Sequence, residues 1–299
     1  MTDRLAAPLC VLAISSLLAI APASARANTP SDLFYERSLM SAAGARCGLF
    51  DSSVAAALLA SGRQARGAAL RAGIDPDTLA AAETRAKARA AGVPCASPDL
   101  ALAASRVRKG FEGYSQIKTM NFPGDAAAWR ADRGSNSRFP SDWRLSQSAR
   151  AAAGPVLFGM AGAVDGEGVL TAVAAWPGAL AASGARLVMR DPVKAPRAYL
   201  DPRRTALADR APPRAVTRSF LASTRQPAAP ALLPTPGVSG VAFRFSPAAA
   251  TALEGLDPRE AVLFELVYPT RDGERVERVA LEVGDFAAGR AFLSARRQP

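Results

Sequence analysis

Ser115-Gln116-Ile117-Lys118 comes nearest, of any stretch in the chain, to a catalytic group in residue type and spacing. A lysine one helical turn from a serine can take its proton and leave a nucleophile, as in Ser-x-x-Lys acyl-transfer chemistry. Here the pair falls near the end of a helix that runs into a loop, and no Lys-Thr-Gly or Lys-Ser-Gly follows it. A solvated helix end is the plainer expectation. The chain contains no histidine, which excludes Ser-His-Asp and Cys-His nucleophiles, histidine general bases and histidine-bearing zinc sites. Carboxylates at Glu265, Glu277 and Glu282 can face one another on adjacent strands, but Arg275 and Arg278 share those strands. Cross-strand ion pairs are therefore expected there rather than acid–base pairs. Gly159, Gly162, Gly166 and Gly168 lack the spacing of a phosphate or dinucleotide loop and suit a hairpin better. No cofactor is implied.

Binding residues are a second possibility. Trp129-Arg130-Ala131-Asp132-Arg133 puts an aromatic plane beside fork-shaped cations, and Trp143 follows shortly after. Trp129, Arg130, Arg133 and Trp143 together would suit a sugar or an anionic ligand, with packing at a domain interface as the competing role. Residues 186–225 carry nine Arg and one Lys against three Asp, with five prolines. An extended, irregular basic surface is expected from that stretch, open to an envelope protein or an anionic envelope component. Nucleic acid is disfavoured, because the stretch holds only Tyr199 and Phe220 as aromatics and no binding motif. The chain's 33 Arg to 4 Lys is a skew that codon choice in a GC-rich genome produces unaided.

The elements that position these residues begin with the N-terminus. Arg4 precedes an uncharged run from Leu5 to Ala25, and Ala23-Ser24-Ala25 or Ala25-Arg26-Ala27 supplies a small-residue cleavage site. Residues 1–27 are read as a secretory signal peptide, and after its removal no membrane span is expected. Cleavage there removes Cys10 and leaves Cys47 and Cys95 in a compartment where disulfides persist. Their bond would close a loop of about 49 residues, worth roughly 4 kcal/mol in the chain-entropy model.

Residues 28–120 read as a helical domain of four helices. Leu33, Met40, Ala43, Cys47 and Phe50 share one face of the first. Asp51 or Ser52 caps the second, which Gly73 ends; Asp75-Pro76-Asp77 and Ser97-Pro98-Asp99 start the third and fourth. Residues 121–150 lose the helical period and are read as a junction. From 151 to 299 the signals are of strands, at 156–164, 169–175, 186–190, 216–221, 241–245, 262–268 and 275–283, with short helices over 247–256 and 285–295. The expected class is α+β: a four-helix domain, then an antiparallel β-sandwich or partly closed barrel with a C-terminal helix.

Tyr35-Glu36-Arg37-Ser38-Leu39-Met40, Cys47-Gly48-Leu49-Phe50, Gln64-Ala65-Arg66-Gly67 and Leu281-Glu282-Val283-Gly284-Asp285-Phe286 together resemble a family of uncharacterised secreted bacterial proteins, over most of the mature chain. The stretch Val241 to Leu256 looks like the C-terminal part of invasion-associated locus B proteins, which are periplasmic sandwiches. Both resemblances imply export. The expected function is a non-enzymatic periplasmic or secreted binding or assembly module of the cell envelope. The alternatives are a histidine-independent envelope hydrolase, working through carboxylates or Ser115-Lys118, and an anionic-glycan-binding module.

Overall fold

A computed structural model describes residues 28–134, 142–162, 168–200 and 206–295. The expected signal segment, most of the Gly166 turn, and Arg203 and Arg204 of the basic stretch lie outside the described residues.

The described residues begin with four helices: α1 (Pro30–Cys47), α2 (Ser52–Arg71), α3 (Pro76–Gly92) and α4 (Pro98–Gln116). Their starts follow from local chemistry. Thr29, Asp51 and Asp75 each accept a hydrogen bond from a first-turn N–H, and proline opens α1, α3 and α4, where its missing donor costs nothing. Gly73, at φ +87°, ends the α2 turn in a conformation that side chains resist. The inward faces are built mostly of alanine, with Phe34, Leu70, Leu79, Leu100 and Phe111 as the larger anchors. Ala43 is buried as expected, but Leu33 and Met40 are only partly so; Phe34 takes the inner position on α1 instead. Cys47 and Cys95 are disulfide-bonded, with Cα atoms 5.6 Å apart, and tie the end of α1 to the turn before α4.

Among the described residues, eleven strands then form two open antiparallel sheets. The larger contains β1 (Thr119–Phe122), β2 (Trp129–Asp132), β3 (Asp142–Arg150), β4 (Pro155–Gly162), β5 (Val169–Ala174), β8 (Thr224–Pro227) and β9 (Val241–Arg244), in the order β1-β2-β3-β4-β5-β9-β8. The smaller, from β6 (Gly184–Arg190), β7 (Thr217–Leu221), β10 (Ala261–Thr270) and β11 (Gly273–Glu282), runs β11-β10-β6-β7. Among the described residues two further α-helices follow, α5 (Pro247–Glu254) and α6 (Phe286–Ser294). Neither sheet closes, so the barrel alternative is not realised. The fold is α+β, as expected.

The strands foreseen from 156 onward are present, and β4 and β5 pair as a hairpin from Ala161↔Val169 inward. The stretch 121–150 differs from expectation, since most of β1–β3 lies within it and is hydrogen-bonded into the larger sheet. In its described strands, polar residues such as Arg130 and Ser148 lie on the wet face. One edge of each sheet is joined by a corner: Ala222 N–H donates to Ala185 of the smaller sheet, and Ser223 N–H to Arg244 of the larger. Both sheets and α6 share one core. Phe243 meets Phe264 across the sheets at 6.1 Å, and Trp129 packs on Phe158 and Phe286 at 5.9 and 5.1 Å.

Among the described residues no helix is long and apolar enough to cross a membrane.

Candidate functional site

The four residues marked in the sequence as a ligand group are not brought together. Alternation along β2 sends Trp129 and Ala131 inward and Arg130 outward. Trp129 is fully buried, and its Nε1 donates to the Val283 carbonyl at 2.9 Å. Arg133 turns toward the helices: its guanidinium donates to the Tyr114 and Ile117 carbonyls at 2.7 Å and sits 3.8 Å from the Phe292 ring centroid. Arg130 and Trp143 do line one surface depression of about 450 Å³, shared with Asp132 and Asp142. The Trp143 Nε1 is committed to the Leu232 carbonyl at 3.1 Å. A single Trp/Arg site is thus split between core and surface.

The Ser-x-x-Lys geometry is not realised either. Ser115 Oγ donates to the Glu112 carbonyl at 2.8 Å, α4 ends at Gln116, and Lys118 is exposed beyond it. Of the strand carboxylates, Glu265 behaves as expected. Register places it opposite Arg186 on β6 and Arg278 on β11, and it pairs with both, the latter at 2.7 Å. Burial pushes its carboxyl up, but hydrogen bonds from Arg186 and Arg278 outweigh that and hold it below the usual carboxylate range. Glu277 accepts from the Tyr268 hydroxyl at 3.4 Å. Glu282 is buried and accepts three backbone N–H groups, from Asp125, Ala126 and Ala127, at 2.7–2.8 Å. Gln147 brackets the Glu282 backbone at both its N–H and its carbonyl, linking the two sheets.

The basic stretch is also largely consumed within the fold. Arg190 forms a bidentate pair with Glu260 at 2.7 and 2.8 Å, both side chains buried, and Arg197 and Arg210 pair with Asp77 and Asp125. Arg225 donates to the Ala182 and Leu180 carbonyls. Folding has turned a run of like charge into ties between distant segments.

Two neighbouring concavities lie where the helices meet the sheets, a place the sequence reading did not single out as a site. α2 packs against α6 there. Arg71 makes a bidentate pair with Asp285 at 2.8 and 2.9 Å, and Arg63 pairs with Glu254 at 3.0 Å. Asp285 is buried, and that burial pushes its carboxyl above the ordinary range, with Arg71 only partly offsetting it. The close approach requires glycine at position 67, where a Cβ would stand 2.1 Å from Asp285 Oδ1.

Beside this seam a cleft of about 450 Å³ is bounded by the end of α2, the α2–α3 turn, residues 196–200 and the α5–β10 turn. Its arginines are matched by carboxylates: Arg190 with Glu260, Arg197 with Asp77, Arg259 with Asp257 at 2.9 and 3.0 Å. Arg66 is the exception. It is half-buried, has no hydrogen-bond or ion-pair partner among the described residues, and also borders a smaller cavity of about 190 Å³ next to the cleft and a groove of about 370 Å³ between α1, α2 and α3. An unmatched guanidinium facing a cleft can receive an anion in bidentate geometry. No group of three or more metal-ligating side chains occurs among the described residues.

No protein-family model, curated protein or solved structure matches the chain.

Proposed function

We propose that the chain is an exported, non-catalytic binding or assembly module of the bacterial cell envelope, and that it holds its ligand in the cleft between the helices and the sheets. The observation that supports the cleft is Arg66, an unmatched cation at a boundary where the other cleft arginines are each matched by a carboxylate. Leaving a half-buried charge uncompensated costs stability, and a ligand that supplies the counter-charge recovers it. Support for a non-catalytic role comes from Ser115, tied to the Glu112 carbonyl with Lys118 beyond the helix end, and from Glu265, saturated by two arginines. Support for export comes from the apolar leader with its small-residue cleavage sites, and from the Cys47–Cys95 bond, which suits an oxidising compartment.

The test immobilises the mature chain, disulfide intact, and passes envelope extract over it. A retained component should be lost at least tenfold with Arg66→Ala. Equal retention by Arg66→Ala would remove the cleft as the site, and turnover of an envelope substrate by the purified chain would overturn the non-catalytic reading.

A further inference from the structure

We infer that the cleft takes a monoanionic carboxylate carried on a short aliphatic group, with the charge on Arg66 and the hydrocarbon end in the adjoining 190 Å³ cavity. This rests on the cleft being the binding surface, and names the ligand chemistry that its walls select.

Two independent features converge on it. The first is a charge count. Around the cleft and cavity, Arg63, Arg71, Arg190, Arg197 and Arg259 each have a carboxylate partner, Arg63 sharing Glu254 with Arg290, while Arg66 has none among the described residues; Asp75, also in the cleft wall, accepts from the Asp77 and Thr78 N–H groups at the start of α3. A ligand's first negative charge therefore finds one unengaged guanidinium, and a second charge finds none. A phosphate dianion would set its second charge near Asp257, Asp285 and Glu254, which also line these walls, with every other guanidinium there already engaged. Like charges at such range repel across a partly dry boundary more strongly than in water. A planar carboxylate also matches the guanidinium fork.

The second is shape and polarity. Arg66 borders both spaces, so a ligand charge placed on it has the small cavity within reach. Leu253, Leu256, Val283, Ala287 and Ala288 supply apolar wall to that cavity. A space near 150 Å³ with apolar walls accepts a benzene-sized group, so about 190 Å³ has room for roughly six carbons. Two sources carry this chemistry: a free short-chain acid, and the C-terminal carboxylate of a peptide ending in a small aliphatic residue.

Calorimetric titration of the mature, disulfide-intact chain with acetate, butanoate, octanoate, N-acetyl-valine and inorganic phosphate tests the assignment. Affinity should rise roughly fourfold per added methylene from acetate to butanoate and fall at octanoate, which outgrows the cavity. Arg66→Gln should weaken butanoate and N-acetyl-valine at least tenfold; its melting temperature, no lower than the parent's because an uncompensated charge is removed and no partner is lost, shows that the fold survives. Tighter binding of N-acetyl-valine than butanoate assigns the peptide terminus, and the reverse assigns the free acid. Affinity independent of chain length, phosphate bound more tightly than the carboxylates, or an unaffected Arg66→Gln variant would each overturn the ligand class. Arg66-dependent retention of an envelope component, with no carboxylate bound, would reject this ligand and keep the cleft; loss of both would reject the cleft as well.

Discussion

The helical half and the sheet half hold themselves together by different means. In the helices the buried residues are mostly alanine, so each contributes little apolar area, and one disulfide supplies the long-range constraint. The sheets and α6 enclose Trp129, Phe158, Phe243, Phe264, Phe286 and Phe292 in one continuous core and contain no cysteine. Between the halves runs the polar seam of Arg71–Asp285 and Arg63–Glu254, beside which the cleft opens. The two halves dock through these ion pairs and through apolar contacts, Val54, Ala57 and Phe111 clustering with Ala295 and Tyr114 meeting Phe292 at 5.5 Å.

The largest effect on this contrast is expected from Trp129→Ala, which empties the centre of the sheet core and loses an Nε1 hydrogen bond, for about 5 kcal/mol. Denaturant unfolding measures the loss, and amide exchange should accelerate first in β2–β5 rather than in α1 or α3. Reducing Cys47–Cys95 is expected to cost about 4 kcal/mol, with the opposite exchange pattern: α1, α3 and α4 open while β4, β5 and β10 remain protected. Uniform acceleration in both experiments would dissolve the distinction between the halves.

Arg71→Ala addresses the seam, leaving Asp285 buried without its partner, for about 3 kcal/mol at neutral pH. Asp285 has its carboxyl raised by burial, so its contribution to stability is full below the ordinary aspartate pKa and is lost as pH rises through the raised value. The Arg71→Ala deficit should therefore shrink on acidification. Glu265→Gln is the smallest change, about 1 kcal/mol, because Arg186 and Arg278 both reach solvent. Its pH dependence has the other sign: Glu265 is held low, so its contribution is present above the ordinary glutamate pKa and lost as pH falls through the lowered value. Thermal melts of the parent and both variants across the acid range would separate the two carboxylates.

Elements whose signals are local were legible in the sequence. Asp51 and Asp75 marked helix starts, and Gly73 a helix end. The cysteine pair followed from counting. Strands β1, β2, β3 and β8 were missed because their apolar residues are few and their neighbours polar. β8 is exposed throughout and ends in Pro227 at a sheet edge, and Gln147 of β3 is buried only because its amide engages the Glu282 backbone. Trp129-Arg130 misled for a related reason, since adjacent residues on a strand face opposite sides. The cleft was illegible because an alanine-rich helix does not reveal which arginine meets which partner. Arg63 and Arg66 lie one turn apart, yet the carboxylate that takes Arg63 and spares Arg66 is 191 residues away in the chain.

The central claim is that the boundary between the two halves is where the molecule binds. Amide hydrogen exchange of the mature chain, with and without envelope extract, reads this directly. The account predicts slowing confined to residues 66–77 and 255–259; slowing instead at the Trp143 surface or along β8, with the cleft unchanged, would contradict it.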